Sequence, residues 1–184
     1  MVTISKASVR IEALDEAVQI IRKMWTDDVV DFNGKHYRLN GAYCNPKPNP
    51  NPPIMIGGGG EKLLKVVASQ ADWWNGVLPL EVYKQKLSVL KKHCESVGRD
   101  YDSIKKTWLG TVAIARTEDE ASRIAKNNPF AAADPCIVGT PEQVAGQLAE
   151  FAGLNVRYFI LRFLDFPKQD GIDLFTENVT PEFK

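Results

Sequence analysis

Apolar side chains recur at helical steps along the first part of the chain. Leu14, Ala17, Val18, Ile21, Met24 and Trp25 lie three and four residues apart, which puts them on one face of a helix from about Lys6 to Trp25. Residues 29–39 then alternate in short stretches on either side of Asn33-Gly34. That pair accepts the positive φ angles of a tight turn, so a hairpin is expected. Residues 45–53 hold five of the eleven prolines, which no helix or central strand survives, and they read as a stiff surface crossover.

Beyond the prolines, short apolar runs alternate with amphipathic stretches. Ile54-Met-Ile56 is a buried strand that runs into Gly57-Gly-Gly-Gly60, and a helix starts at Glu61. Residues 73–77 read as a second strand. A helix over 80–97 follows, with Tyr83, Leu87, Leu90, Cys94 and Val97 on one face and Gly98 as its stop. A third strand covers 107–115, and Thr117-Glu-Asp-Glu120 has the form of a capping box. Residues 127–136 show no period and are read as irregular. Thr140-Pro-Glu-Gln143 repeats the capping pattern with proline at the first helical position. A fourth strand covers 156–161, and residues 173–179 suit a closing helix.

Strands alternating with helices mean parallel β/α units joined by right-handed crossovers. The pattern alone leaves a doubly wound sheet and a barrel both open. The 184 residues are enough for one domain with a real core, and a single domain over residues 1–184 is expected.

Charge narrows the partners. Lys+Arg and Asp+Glu both count 23, giving zero net charge, whereas nucleic acids and anionic membranes call for a basic surplus. No nucleic-acid or membrane partner is therefore expected. Little repulsion keeps copies apart, which favours a homo-oligomer. Cys44, Cys94 and Cys136 are odd in number and far apart, in no metal-ligand spacing, and read as reduced thiols. The first six residues lack a leader profile, and no apolar run reaches membrane-spanning length, so a cytoplasmic location is expected.

The glycine run is the sharpest chemical signal. Four glycines between a strand and a helix start let a ligand approach the backbone, and a helix N-terminus favours an anion. Lys62 adds charge, so a phosphate is the natural guest; a plain flexible turn is the competing reading. The run has neither Walker nor dinucleotide-fingerprint spacing. In parallel α/β folds ligands sit beyond the C-terminal strand ends, where Trp73, Trp74 and Asn75 offer ring walls and a hydrogen-bonding amide, or simply core packing. Arg162 follows the last strand and faces the same rim, as a ligand contact or a surface ion pair. His36 and His93 have no partners in sequence and read as polar surface groups. No nucleophile triad and no metal site is apparent.

These segments together resemble the luciferase-like monooxygenase superfamily, especially its deazaflavin-dependent members. The resemblance rests on the helix Ala13-Leu-Asp-Glu-Ala-Val-Gln-Ile-Ile-Arg-Lys-Met-Trp25 and the hairpin Phe32-Asn-Gly-Lys-His-Tyr37. It continues through Pro46-Lys-Pro48, Pro52-Pro-Ile-Met-Ile-Gly-Gly-Gly-Gly60, Ala71-Asp-Trp-Trp-Asn75, Gly98-Arg-Asp100 and Val138-Gly-Thr-Pro-Glu-Gln-Val144. It implies a partial TIM-type (β/α) barrel whose four parallel strands correspond to the fifth to eighth of the family fold, plus the small hairpin. A whole barrel of this type needs about 250 residues. The implied coenzyme is FMN or a deazaflavin (coenzyme F420). Gly57, Gly58, Gly59, Gly60 and Lys62 would lie at its phosphate, and Trp74 and Asn75 nearer its ring. No catalytic residue carries over, because the missing strands normally supply the acid–base groups.

The expected function is therefore that of a flavin- or deazaflavin-dependent oxidoreductase or monooxygenase fragment, active only when another chain completes it. That chain would be a second copy or a separate N-terminal half. The alternatives are a non-catalytic half-barrel that binds a flavin or other phosphorylated ligand, and a purely structural assembly module.

Overall fold

Helix α1 occupies Ala7–Thr26, within a residue of the span its apolar period predicts. The structure, a computed structural model, describes residues 5–183; residues 1–4, on which the leader reading partly rests, lie outside the described residues. By contact density the chain divides into two compact units. The first takes in the chain through Ile56 together with Gly60–Trp73 and Val89–Ile104, and the second takes in Gly57–Gly59, Trp74–Ser88 and everything from Lys105 onward.

In the first unit the hairpin forms from β1 (Val30–Asn33) and β2 (Arg38–Ala42), antiparallel, with an irregularity between Val30 and Phe32. The expected two-residue Asn33-Gly34 turn is replaced by a wider loop: Asn33 stays in the ladder opposite Arg38, and Gly34 N–H bonds Tyr37 O at 2.9 Å. The reason lies outside the hairpin. The Glu16 carboxylate of α1 accepts the backbone N–H groups of Lys35, His36 and Tyr37 at 2.8, 2.9 and 3.0 Å, so the loop opens to wrap an anion. Beside it Glu12 takes Lys35 Nζ at 2.6 Å and His36 Nε2 at 3.1 Å.

The same unit holds α2 (Glu61–Gln70), whose buried face is Leu64, Val66, Val67 and Ala68. Asp72 lies two residues beyond the end of this helix. Its carboxylate receives Ile54 N–H and Arg22 Nη2, both at 2.8 Å, tying the residue before the next strand to the crossover and to α1. Arg22 also donates to Gln70 O at 2.7 Å, and Arg99 donates to Ala68 O at 3.2 Å. Helix α3 spans Leu80–Val97, and Gly98 follows it at φ +67°, a conformation that stops a helix at no steric cost to glycine.

A second sheet holds five strands among the described residues. Its order is β3 (Met55–Gly57), β4 (Trp73–Gly76), β5 (Lys105–Ile114), β6 (Cys136–Gly139), with β7 (Val156–Phe163) also paired to β5. Five strands replace the four expected: β6 opens at Cys136, the last residue read as irregular, and runs through residues 137–139, to which the sequence pattern assigns no element, and the irregular region itself holds the short helix α5 (Phe130–Ala133). Four residues after a proline carry no measurable period, so β6 left no pattern to read. Thr111 and Val112 pair in parallel with both β6 and β7, so these two strands lie on opposite edges of β5.

Helices α4 (Glu118–Lys126), α6 (Pro141–Gly153) and α7 (Asp170–Asn178) follow β5, β6 and β7. Thr117 caps α4, and Thr140 with Gln143 forms a complete capping box on α6, both as read from the sequence. The core under the helices is aromatic. Trp74 stacks on Tyr83 at 4.8 Å, and Phe151 of α6 meets Tyr83 at 5.5 Å and Trp108 at 4.7 Å. A Cβ at Gly76 would stand 2.4 Å from the Tyr83 ring, so only glycine fits beneath it. Among the described residues no helix is long and apolar enough to cross a membrane.

Candidate functional site

The four glycines after β3 are glycine for different reasons. Gly58 has φ +124°, which L side chains rarely adopt, and its N–H donates to Asn75 O at 3.0 Å. A Cβ at Gly59 would press to 3.0 Å on Leu78. Gly57 and Gly60 need neither excuse. An added Cβ would meet nothing closer than 3.8 Å at Gly57, and nothing within 4 Å at Gly60, which caps α2 at an ordinary φ of −69°. Packing and conformation do not demand glycine at those two positions. Close approach of a ligand to the backbone would.

Trp74 takes the core-packing position. It is fully buried, its face is against Tyr83, and its indole N–H donates to Gly58 O at 2.7 Å. The physical reason is the pleat: alternate residues of a strand face opposite ways, and Trp74 falls on the helix-covered side. It holds the glycine loop from behind. Asn75 points the other way. Its Oδ1 accepts Thr107 Oγ1 at 2.9 Å, while its Nδ2 has no protein acceptor among the described residues.

Asn75 and Thr107 begin a polar row on the face away from the helices. Thr107 is paired with Tyr158 of β7, and Thr111 with Arg162. Phe159 packs on Trp108 and Phe163 on Phe175 of α7, so the residues that alternate with them, Tyr158, Ile160 and Arg162, lie on the opposite face. Arg162 lies within β7 rather than after it. Its Nη1 donates to Asp134 Oδ2 at 3.0 Å, and its guanidinium carbon sits 4.8 Å from the centre of the Phe130 ring. Nearby, burial pushes the Cys136 thiol above its ordinary pKa, against a weaker lowering by its hydrogen bond with Thr111. That thiol is therefore a neutral group.

Of the residues expected at a ligand, Gly57, Gly58, Gly59, Trp74 and Asn75 come together in the second unit, whereas Gly60 and Lys62 belong to the first, where Lys62 is exposed in the opening turn of α2. Trp73 is half-buried in the first unit. His36 is half-buried against Glu12, and His93, expected on the surface, is half-buried with Nε2 unpartnered among the described residues. Sequence reasoning missed Thr107, Thr111, Tyr158 and Asp134. A signal was available for three of them. Thr107 with Thr111, and Tyr158 with Arg162, are polar pairs four apart within largely apolar stretches of strand, and that spacing means one shared face. Asp134 had none, because it sits in the aperiodic segment. Among the described residues no cluster of potential metal ligands occurs.

A family model described as luciferase-like monooxygenase matches residues 6–133. The F420-dependent glucose-6-phosphate dehydrogenase of Mycobacterium avium (strain 104) is 34% identical over 100 residues, which covers 53% of this chain and 30% of that protein. A solved F420-dependent secondary alcohol dehydrogenase in complex with an F420-acetone adduct superposes with TM-score 0.85 at 19% identity, over 99% of this chain and 64% of that one. A riboflavin lyase solved with modified FMN and the substrate riboflavin gives TM-score 0.78 at 18% identity, over 99% of this chain and 59% of that one. The chain thus spans about 30% of the curated relative and less than two-thirds of either solved structure. The structural likeness shows the fold, a partial luciferase-like (β/α) barrel.

Proposed function

The chain belongs to the luciferase-like monooxygenase family, and on that premise we propose that it is the coenzyme-holding part of a flavin- or deazaflavin-dependent oxidoreductase. Gly57, Gly58, Gly59, Gly60 and Lys62 are the proposed contacts of the coenzyme phosphate, and Asn75 the proposed donor to its ring. Trp74 serves by fixing Gly58 rather than by touching the coenzyme. Relatives that use F420 and a structural neighbour solved with modified FMN support a coenzyme of either kind. When bound, such a coenzyme carries the redox chemistry, and the protein's part is to hold, orient and shield it.

The observation that carries this reading is Gly57 and Gly60, where an added Cβ would meet nothing closer than 3.8 Å. A backbone left bare without packing need is suited to a phosphate, which the unsatisfied amides of a helix start attract. Glu61, Lys62 and Leu63 open α2, and Gly60 offers no side chain to cap them. The chain's residues then have three tasks: backbone amides bind the phosphate, Asn75 Nδ2 orients the ring, and the buried aromatic layer behind the loop keeps water away. We read the 184 residues as one incomplete barrel domain, with the acid–base groups supplied by protein outside them. A second copy or a separate N-terminal half would do this; β3 and β7, each with one strand partner among the described residues, support that reading.

A fluorescence titration of the chain with FMN, and separately with the deazaflavin coenzyme, tests the proposal. Gly60→Val is the informative variant, because its side chain enters open space and the fold has no reason to suffer. Saturable binding that weakens about tenfold or more in Gly60→Val at an unchanged melting temperature is the expected result. Binding indifferent to this variant would overturn the placement of the phosphate.

A further inference from the structure

The coenzyme reading leaves Arg162 without a task. A guanidinium offers five N–H donors in a flat fork that suits carboxylate and phosphate oxygens. Only one of them has a protein acceptor among the described residues, the Nη1 contact to Asp134 at 3.0 Å. The side chain is 48% exposed, on the face that also bears Asn75, Thr107 and Tyr158, and Phe130 backs it like a plate.

Asp134 is placed to leave. It lies on the segment joining α4 to β6, which is pinned at two points: Asn128 Nδ2 donates to Leu164 O at 2.9 Å, and Pro135 O accepts Thr111 N–H at 2.8 Å. Between those pins only the four residues of α5 are regular. The carboxylate can therefore swing off without breaking a sheet bond. An exposed single-contact ion pair contributes little, whereas a two-pronged charge-assisted contact contributes more. An incoming oxyanion would replace the weaker bond with the stronger.

We propose that Arg162 is an oxyanion receptor, and that Asp134 is an internal occupant displaced by the carboxylate or phosphate of a ligand reaching the exposed Arg162 end of β7. The inference goes beyond the coenzyme reading and does not need it, because the test uses simple anions. In the nitrogen-15-labelled chain, the Arg162 Nε–Hε signal, assigned through Arg162→Gln, is followed during titration with inorganic phosphate, with acetate, and with chloride at matched ionic strength. A saturable shift with phosphate or acetate and none with chloride is expected, and the tighter of the two names the ligand's anionic group. Asp134→Asn should bind about two- to fivefold more tightly, since the competing charge is gone. Arg162→Lys, which keeps the charge and loses the fork, should bind several-fold more weakly at an unchanged melting temperature. Equal shifts with chloride, anion binding that survives in Arg162→Gln, or no gain in Asp134→Asn would each overturn the proposal.

Discussion

Replacing Trp74 with phenylalanine separates support of the glycine loop from contact with a ligand. The substitution keeps an aromatic ring against Tyr83 and removes the N–H that reaches Gly58 O at 2.7 Å. Losing that bond costs about 1 kcal/mol net, with more if the carbonyl stays dry. Trimming a fully buried indole to phenyl sacrifices roughly 40 Å² of apolar contact, another ~1 kcal/mol at 25 cal/mol per Å². The sum, about 2 kcal/mol, corresponds to a melting temperature lower by about 4–8 °C for a chain of this size. Urea unfolding followed by far-UV circular dichroism measures the loss, and flavin titration of the same sample measures binding. Stability and affinity should fall together. A variant as stable as the parent that no longer binds would mean that Trp74 touches the ligand directly, and the reasoning would fail.

Thr107→Val is nearly isosteric and removes the hydroxyl that bonds Trp74 O and Asn75 Oδ1 at 3.0 and 2.9 Å; it should cost about 1–3 kcal/mol in urea unfolding, and a neutral result would deny the polar row its structural role. The Glu16 clasp should be acid-labile. Partial desolvation raises its carboxyl pKa, but the bonds from His36, Lys35 and Tyr37 N–H outweigh it and hold the group below its ordinary value. Its stabilisation is therefore full above the free-carboxyl value of about 4.3 and is lost as pH falls through the lower folded value. The three amide protons should titrate together in that window, and Glu16→Gln should abolish the step; titration above 4.3 would contradict the clasp.

Much of the fold was legible because long periods survive tertiary context. Helices α1, α2 and α3 and both capping motifs lie where spacing and hydroxyl chemistry predict. The misses share one cause: structure dictated by distant partners leaves no local trace. The hairpin loop is shaped by Glu16, about twenty residues away, and β6 exists because β5 offers it an edge at Thr111–Ile114. At the candidate site the glycines announced themselves by composition. Trp74 could not be oriented from sequence, since adjacent tryptophans fit either face until the sheet fixes the pleat. Asp134, which only a folded β7 brings to Arg162, was invisible for the same reason.

The arginines at the far end of α2 act as electrostatic ballast for the glycine end. A helix carries partial positive charge at its start and partial negative charge at its finish. α2 has no basic residue of its own in its last turn, and the carbonyls there are met instead by Arg22, at Gln70, and Arg99, at Ala68. These cations offset the negative pole of a helix about 15 Å long and leave the positive pole at Gly60 uncountered by it. The attraction offered to an anion at that end is thus set in part by two side chains distant in sequence, one on α1 and one just past α3.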